Sequence, residues 1–139
     1  MLNSLDPINL TPAGRTLTWP PVVEALRKLI DAQSPHRLNA PIYIVGGAVR
    51  DAYLGRPAHD LDLATPGDGQ PIARAIANAL KGAYYPLDAE RGVGRALVDY
   101  EGERYTIDVT RFRGQSLVED LNARDFTMNA LAVRLDGDS

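Results

Sequence analysis

The chain has 139 residues, 45% of them hydrophobic and 24% charged, with a formal net charge of −3 and no cysteine. That length suits one domain around a single core. The lack of cysteine excludes a disulfide framework, a thiol nucleophile and a zinc–thiolate centre, and an acidic balance with scattered arginines argues against a surface that grips nucleic acid by general electrostatics.

Residues 1–19 mix Asn, Ser, Pro, Thr and Gly without sustained periodicity, so they read as an arm or loose lead-in. Pro20-Pro21 then precedes Val22, Val23, Leu26, Leu29 and Ile30, spaced for one apolar helix face, with proline suited to a helix's first turn. Residues 33–40 read as a loop in which His36 is solvated. Residues 1–40 are therefore expected to be an N-terminal arm and packing helix, and 41–139 the domain proper. No apolar run approaches the roughly twenty residues of a membrane-spanning helix, and no basic-then-apolar leader pattern opens the sequence. The expectation is a soluble, cytoplasmic protein.

The informative stretch is Ile42 to Thr65. Ile42 to Val45 is an apolar strand ended by Gly46-Gly47, and Ala48 to Leu54 is a helix stopped at Gly55-Arg56-Pro57. The glycine turn thus opens onto a helix N-terminus, whose unpaired N–H groups and positive dipole end suit an anion such as a triphosphate. Arg50, in the first turn, adds a positive fork. On the next strand Asp60 and Asp62 alternate with Leu61 and Leu63, so both carboxylates project from one face. Mg²⁺ takes oxygen ligands and binds through one or two carboxylates plus substrate phosphates. Two such ions about 4 Å apart could activate a hydroxyl and stabilise a leaving pyrophosphate. A glycine pair alone is usually only a turn, and a lone Asp-x-Asp is usually solvated charge. Their order favours a site, because two carboxylates side by side resist ionisation unless a cation or proton sits between them.

Residues 66–71 are dense in turn formers and lead to a helix over 72–80, a strand over 83–87 and a loop over 88–92. Residues 93–100 and 104–112 flank Glu101-Gly102-Glu103 and read as a hairpin. Within it Asp108 leaves the apolar face defined by Ile107 and Val109. Ser116 with Glu119 is a capping-box pattern for a helix over 117–124, and 129–135 is the last strand, ended at Asp136-Gly137.

Gly46-Gly47-Ala48-Val49-Arg50-Asp51, then Leu54-Gly55-Arg56-Pro57, then Asp60-Leu61-Asp62, resembles the first motif of the class II tRNA nucleotidyltransferase and bacterial poly(A) polymerase family, within the polymerase-β-like superfamily. Asp120-Leu121-Asn122-Ala123-Arg124-Asp125-Phe126-Thr127-Met128-Asn129-Ala130 resembles that family's later Arg-Arg-Asp-Phe-Thr-x-Asn-Ala motif, with Ala123 where the family usually has its first arginine. The resemblance covers about 41–135. It implies an α/β fold, a mixed sheet of about five strands with flanking helices, and transfer of a nucleotide from CTP or ATP to an RNA 3′ hydroxyl, either the tRNA 3′ end or a growing poly(A) tail. In those terms Asp60 and Asp62 would hold two Mg²⁺ ions, and Asp108 would be the third carboxylate, a metal ligand or base. Gly46, Gly47, Arg50 and Arg124 would hold the nucleotide, while Asp125 would order its loop; His59, off the metal face, has no role.

The family's base-reading neck and RNA grip have no counterpart in 1–139, so the chain is expected to be a catalytic head cut from a longer enzyme and poorly active alone. Three other readings are weighed against this one. A nucleotide-binding module without activity would need the same cradle, and a small nucleotidyltransferase acting on a protein or small molecule would not need the Arg-Asp-Phe-Thr motif. A structural interaction domain would leave the paired aspartates unexplained. CCA, CC and A addition and poly(A) synthesis stay open at this point.

Overall fold

The computed structural model describes residues 17–30, 41–112 and 132–135. Its elements are α1 (Pro21–Ile30), β1 (Tyr43–Val45), α2 (Gly47–Leu54), β2 (Asp60–Thr65), α3 (Gln70–Ala79), β3 (Ala83–Asp88), β4 (Val93–Tyr100), β5 (Glu103–Arg111) and β6 (Ala132–Arg134). Among the described residues six strands form one mixed sheet in the order β3-β4-β5-β2-β1-β6, in keeping with the mixed sheet of about five strands expected. β2 and β5 run parallel, and every other recorded pair is antiparallel. A parallel pair needs a long crossover, and here α3, β3 and β4 supply it.

One face of the sheet carries the core. Ile44, Leu61, Leu63, Ala96, Val98, Tyr105, Ile107 and Val109 alternate along their strands and are buried with Val22, Val23, Leu26 and Leu29 of α1 and Ile72, Ala73, Ile76 and Ala77 of α3. α1 therefore joins the same core as the sheet, as its apolar spacing predicts. α3 lies on β3, β4 and β5, and its approach to β4 depends on Gly94, where an added Cβ would come within 3.0 Å of both Ala73 Cβ and Gln70 Cα. The lead-in is less loose than expected at its end: Leu17 and Trp19 pack against the core, and Thr18 N donates to Ala52 O at 2.9 Å.

The local signals translate directly. α2 ends where Gly55 takes φ 73°, with Gly55 N donating to Ala52 O and Arg56 N to Asp51 O, the paired bonds of a left-handed helix stop. α3 starts with Pro71 in its first turn and Asp68 Oδ1 accepting from Gln70 N at 2.9 Å. The hairpin turn is tighter than expected. Tyr100 pairs with Glu103, leaving Glu101 (φ 49°) and Gly102 (φ 84°) as a two-residue loop with both φ positive, the geometry that matches strand twist. β6 falls within the strand expected over 129–135. His36, the helix expected over 117–124 and the motif containing Ala123, Arg124 and Asp125 lie outside the described residues.

Candidate functional site

The second face of the sheet carries a small apolar cluster of Val45 and Ala64 with Tyr43 and Phe112, and beside it a row of charged residues. On β2, Asp60 and Asp62 are exposed while Leu61 and Leu63 are buried, so alternation does put both carboxylates on one side. The register then extends this pair into a row. Val45 of β1 lies opposite Asp62, Asp62 opposite Asp108 of β5, Asp108 opposite Arg95 of β4, and Arg95 opposite Tyr85 of β3. Neighbouring strands are about 4.8 Å apart, so Asp62 and Asp108 stand side by side although 46 residues of sequence separate them.

The glycine turn sits at the other end of the same row. β1 ends at Val45, opposite Asp62, and the next residue, Gly46, has φ 77° and ψ −147°, a conformation open in practice to glycine alone. α2 begins immediately afterwards at Gly47, so its N-terminus emerges beside the Asp62 end of β2. Among the described residues no side chain caps this helix, and no acidic residue occupies its first turn. The first-turn N–H groups and the positive end of the dipole are suited to anionic oxygen. Arg50, half-exposed in that turn, donates from Nε to Asp51 Oδ1 at 3.3 Å. The geometry thus brings Gly46, Gly47, Asp60, Asp62 and Asp108 together; Arg124 is outside the described residues.

Arg95 is the residue that sequence reasoning missed. Its Nε donates to Asp108 Oδ1 at 2.7 Å and its Nη2 to Asp108 Oδ2 at 3.0 Å, so both carboxylate oxygens are taken by one guanidinium. The Asp108 hydrogen bonds and charge raise the Arg95 pKa above its ordinary value, with smaller contributions from Asp60 and Asp62. Arg95 therefore places a positive charge in the carboxylate row, against Asp108. A similar fork joins Arg104 to Asp99 at 2.8 and 3.1 Å on the same face, with both side chains exposed. His59 stacks on the core-facing ring of Tyr105 and meets Glu103 at 2.8 Å, away from the row.

The donor set fits a hard divalent cation of the Mg²⁺ class. Asp60 and Asp62 are exposed carboxylates on one face, and Mg²⁺ binds through one or two carboxylates together with substrate phosphates.

Residues 42–139 match the family model described as the poly A polymerase head domain. The chain belongs to this family. A CC-adding tRNA nucleotidyltransferase of Geobacter sulfurreducens is 42% identical over 96 residues, which make up 69% of this chain and 22% of that protein. A solved complex of a CCA-adding enzyme with CTP superposes with a TM-score of 0.68 at 29% identity, covering 84% of this chain and 28% of that one. A tRNA nucleotidyltransferase complexed with a primer tRNA and an incoming ATP analog superposes with a TM-score of 0.63 at 27% identity, covering 84% and 32%. The chain thus spans about a quarter of the length of the relatives it matches. The α/β head fold expected from the two motifs is the one observed.

Proposed function

We propose that this chain is the catalytic head of a nucleotidyltransferase that transfers a nucleotide from CTP or ATP to the 3′ hydroxyl of tRNA. The observation that carries this reading is the row on the second sheet face, which sets two exposed carboxylates of one strand beside a third on the next and beside the N-terminus of α2. Family membership and the substrates named for its relatives support the same reading.

The glycine turn, the first N–H groups of α2 and Arg50 hold the triphosphate, whose negative charge matches the helix dipole. Asp60 and Asp62 hold Mg²⁺, two ions in the full reaction; when bound, these supply Lewis acidity toward the phosphoryl oxygens and lower the pKa of the attacking hydroxyl. Arg124, by resemblance, positions the nucleotide. The 3′ oxygen forms its bond to the α-phosphorus as the bond to the β-phosphate oxygen breaks, and pyrophosphate leaves. Asp108, beside Asp62, serves as the third carboxylate, a ligand or an acceptor of the hydroxyl proton. Holding the reactants in line supplies much of the rate. Residues 41–139 form this head, and base choice and the grip on RNA belong to other segments of a longer enzyme.

The test is nucleotide incorporation into tRNA by the longer enzyme that carries this head, with Asp62→Ala as the control. Mg²⁺-dependent incorporation of C or A that vanishes in the variant is the expected outcome. Activity that survives in Asp62→Ala overturns the assignment.

A further inference from the structure

The reading above needs Asp108 as a third carboxylate, and the structure shows both of its oxygens occupied. Arg95 Nε and Nη2 hold Oδ1 and Oδ2 at 2.7 and 3.0 Å. This is not a loose surface contact. The Asp108 side chain is 22% exposed and that of Arg95 39%, and the two lie directly across from each other on adjacent strands of one hairpin. A bidentate arginine–carboxylate fork is among the stronger charge-assisted pairings and fixes the plane of the carboxylate as well as its position. Its direction is therefore set by β4, while its neighbour Asp62 lies on the opposite side, on β2.

We propose that Arg95 is a positioning residue that withholds Asp108 from the metal seat of Asp60 and Asp62. This rests on the proposed function, since it concerns the same seat. Arg95 acts in two ways that can be separated. Its charge disfavours a divalent ion nearby, by roughly tenfold in affinity for an ion one side chain away even at the dielectric of water. Its fork, independently, denies the ion a third carboxylate ligand. The consequence is a weak seat that fills well only when substrate phosphates supply the missing oxygens, which couples metal binding to nucleotide binding.

The experiment measures Mn²⁺ affinity, as a spectroscopic stand-in for Mg²⁺, by electron paramagnetic resonance on the 139-residue chain without nucleotide. Metal-free thermal melts of each variant establish that it is folded. Lysine keeps the charge and loses the planar fork, so Arg95→Lys should bind Mn²⁺ at least threefold more tightly than wild type. In an Asp108→Asn background the same change should bring no gain, because the released side chain is no longer a carboxylate. Arg95→Gln should exceed Arg95→Lys by the charge effect. Unchanged or weaker binding in Arg95→Lys overturns the proposal, as does a gain that persists with Asn at 108. Loss of binding in Asp60→Ala with no response at 95 would leave the seat in place and remove Arg95 from it. Absence of Mn²⁺ binding in every variant would reject the seat itself, and the role of Arg95 with it.

Discussion

Removing either carboxylate of β2 should abolish metal-dependent stabilisation while leaving the metal-free fold intact. Asp60 and Asp62 are both exposed, so Asp60→Ala or Asp62→Ala opens no cavity. The energetic terms in the metal-free state are small and partly opposed. Asp60 and Asp62 stand two residues apart on one strand, about 6.6 Å, so their carboxylates repel by about 0.6 kcal/mol at the dielectric of water, and alanine relieves that repulsion. Alanine is a somewhat poorer strand former than the β-branched residues, but on an exposed face substitutions usually stay within about 0.5 kcal/mol. The metal-free melting temperature of either variant should therefore lie within a few degrees of wild type.

Ligand changes this comparison. A ligand at a hundredfold excess over its Kd stabilises the state that binds it by about 2.7 kcal/mol. For a chain between the usual size classes, that corresponds to a rise of roughly 6–12 °C. Wild type should show a rise of this order with saturating Mg²⁺ and CTP or ATP, and each variant should show almost none. Differential scanning fluorimetry, checked by calorimetry, reads both quantities. Equal ligand-induced shifts in wild type and in both variants would refute the metal assignment. A large fall in metal-free stability would instead show that the two carboxylates hold the fold.

Arg50→Ala should weaken CTP and ATP binding alike in titration calorimetry, and Arg50→Lys should recover only part of the loss, because lysine retains charge without the fork. A loss confined to one base would show that Arg50 reads the base. The isolated chain should bind all four triphosphates with similar, weak, Mg²⁺-dependent affinity and should not extend tRNA at a useful rate; a preference of tenfold, about 1.4 kcal/mol, would place base selection in this chain. Gly69→Ala should destabilise the fold by about 1–3 kcal/mol through overpacking, because its Cβ would fall 2.3 Å from Val109 O and 2.8 Å from Gly92 O. Gly67→Ala, with nothing within 4 Å, is the control and should melt like wild type.

The parts of the site that were legible in the sequence are those encoded over short distances. Period-two alternation placed Asp60 and Asp62 on one face, and the Gly46-Gly47 turn announced a helix start because only glycine adopts the backbone found at Gly46 with ease. Asp108 could be assigned to the polar face of its strand by the same alternation. Its position beside Asp62 is a property of the parallel β2–β5 pair, and nothing in a local window states which strand will lie next to β2. The family resemblance supplied that step. Arg95 was missed for a narrower reason. Reading Glu101-Gly102-Glu103 as a three-residue turn pairs Tyr100 with Arg104 and puts Ala96 opposite Asp108. The actual two-residue turn pairs Tyr100 with Glu103 and puts Arg95 there instead.

That one-residue difference is decided by more than the turn. Side chains alternate strictly along a strand, so a slip of one residue sends every side chain to the other face. In β4 the buried residues are Gly94, Ala96 and Val98, and in β5 they are Tyr105, Ile107 and Val109. Residues directly opposite each other on paired strands share a face. Ala96 must then oppose a core residue, Ile107, and cannot oppose Asp108 without burying a carboxylate or exposing the core. The only registers that keep both strands' apolar sets together differ by two residues, and the positive φ values at Glu101 and Gly102 fit the shortest of them. Core alternation and turn chemistry thus agree on the register that sets the Arg95 guanidinium against Asp108. The positive charge in the carboxylate row is in this sense placed by the packing on the opposite face of the sheet.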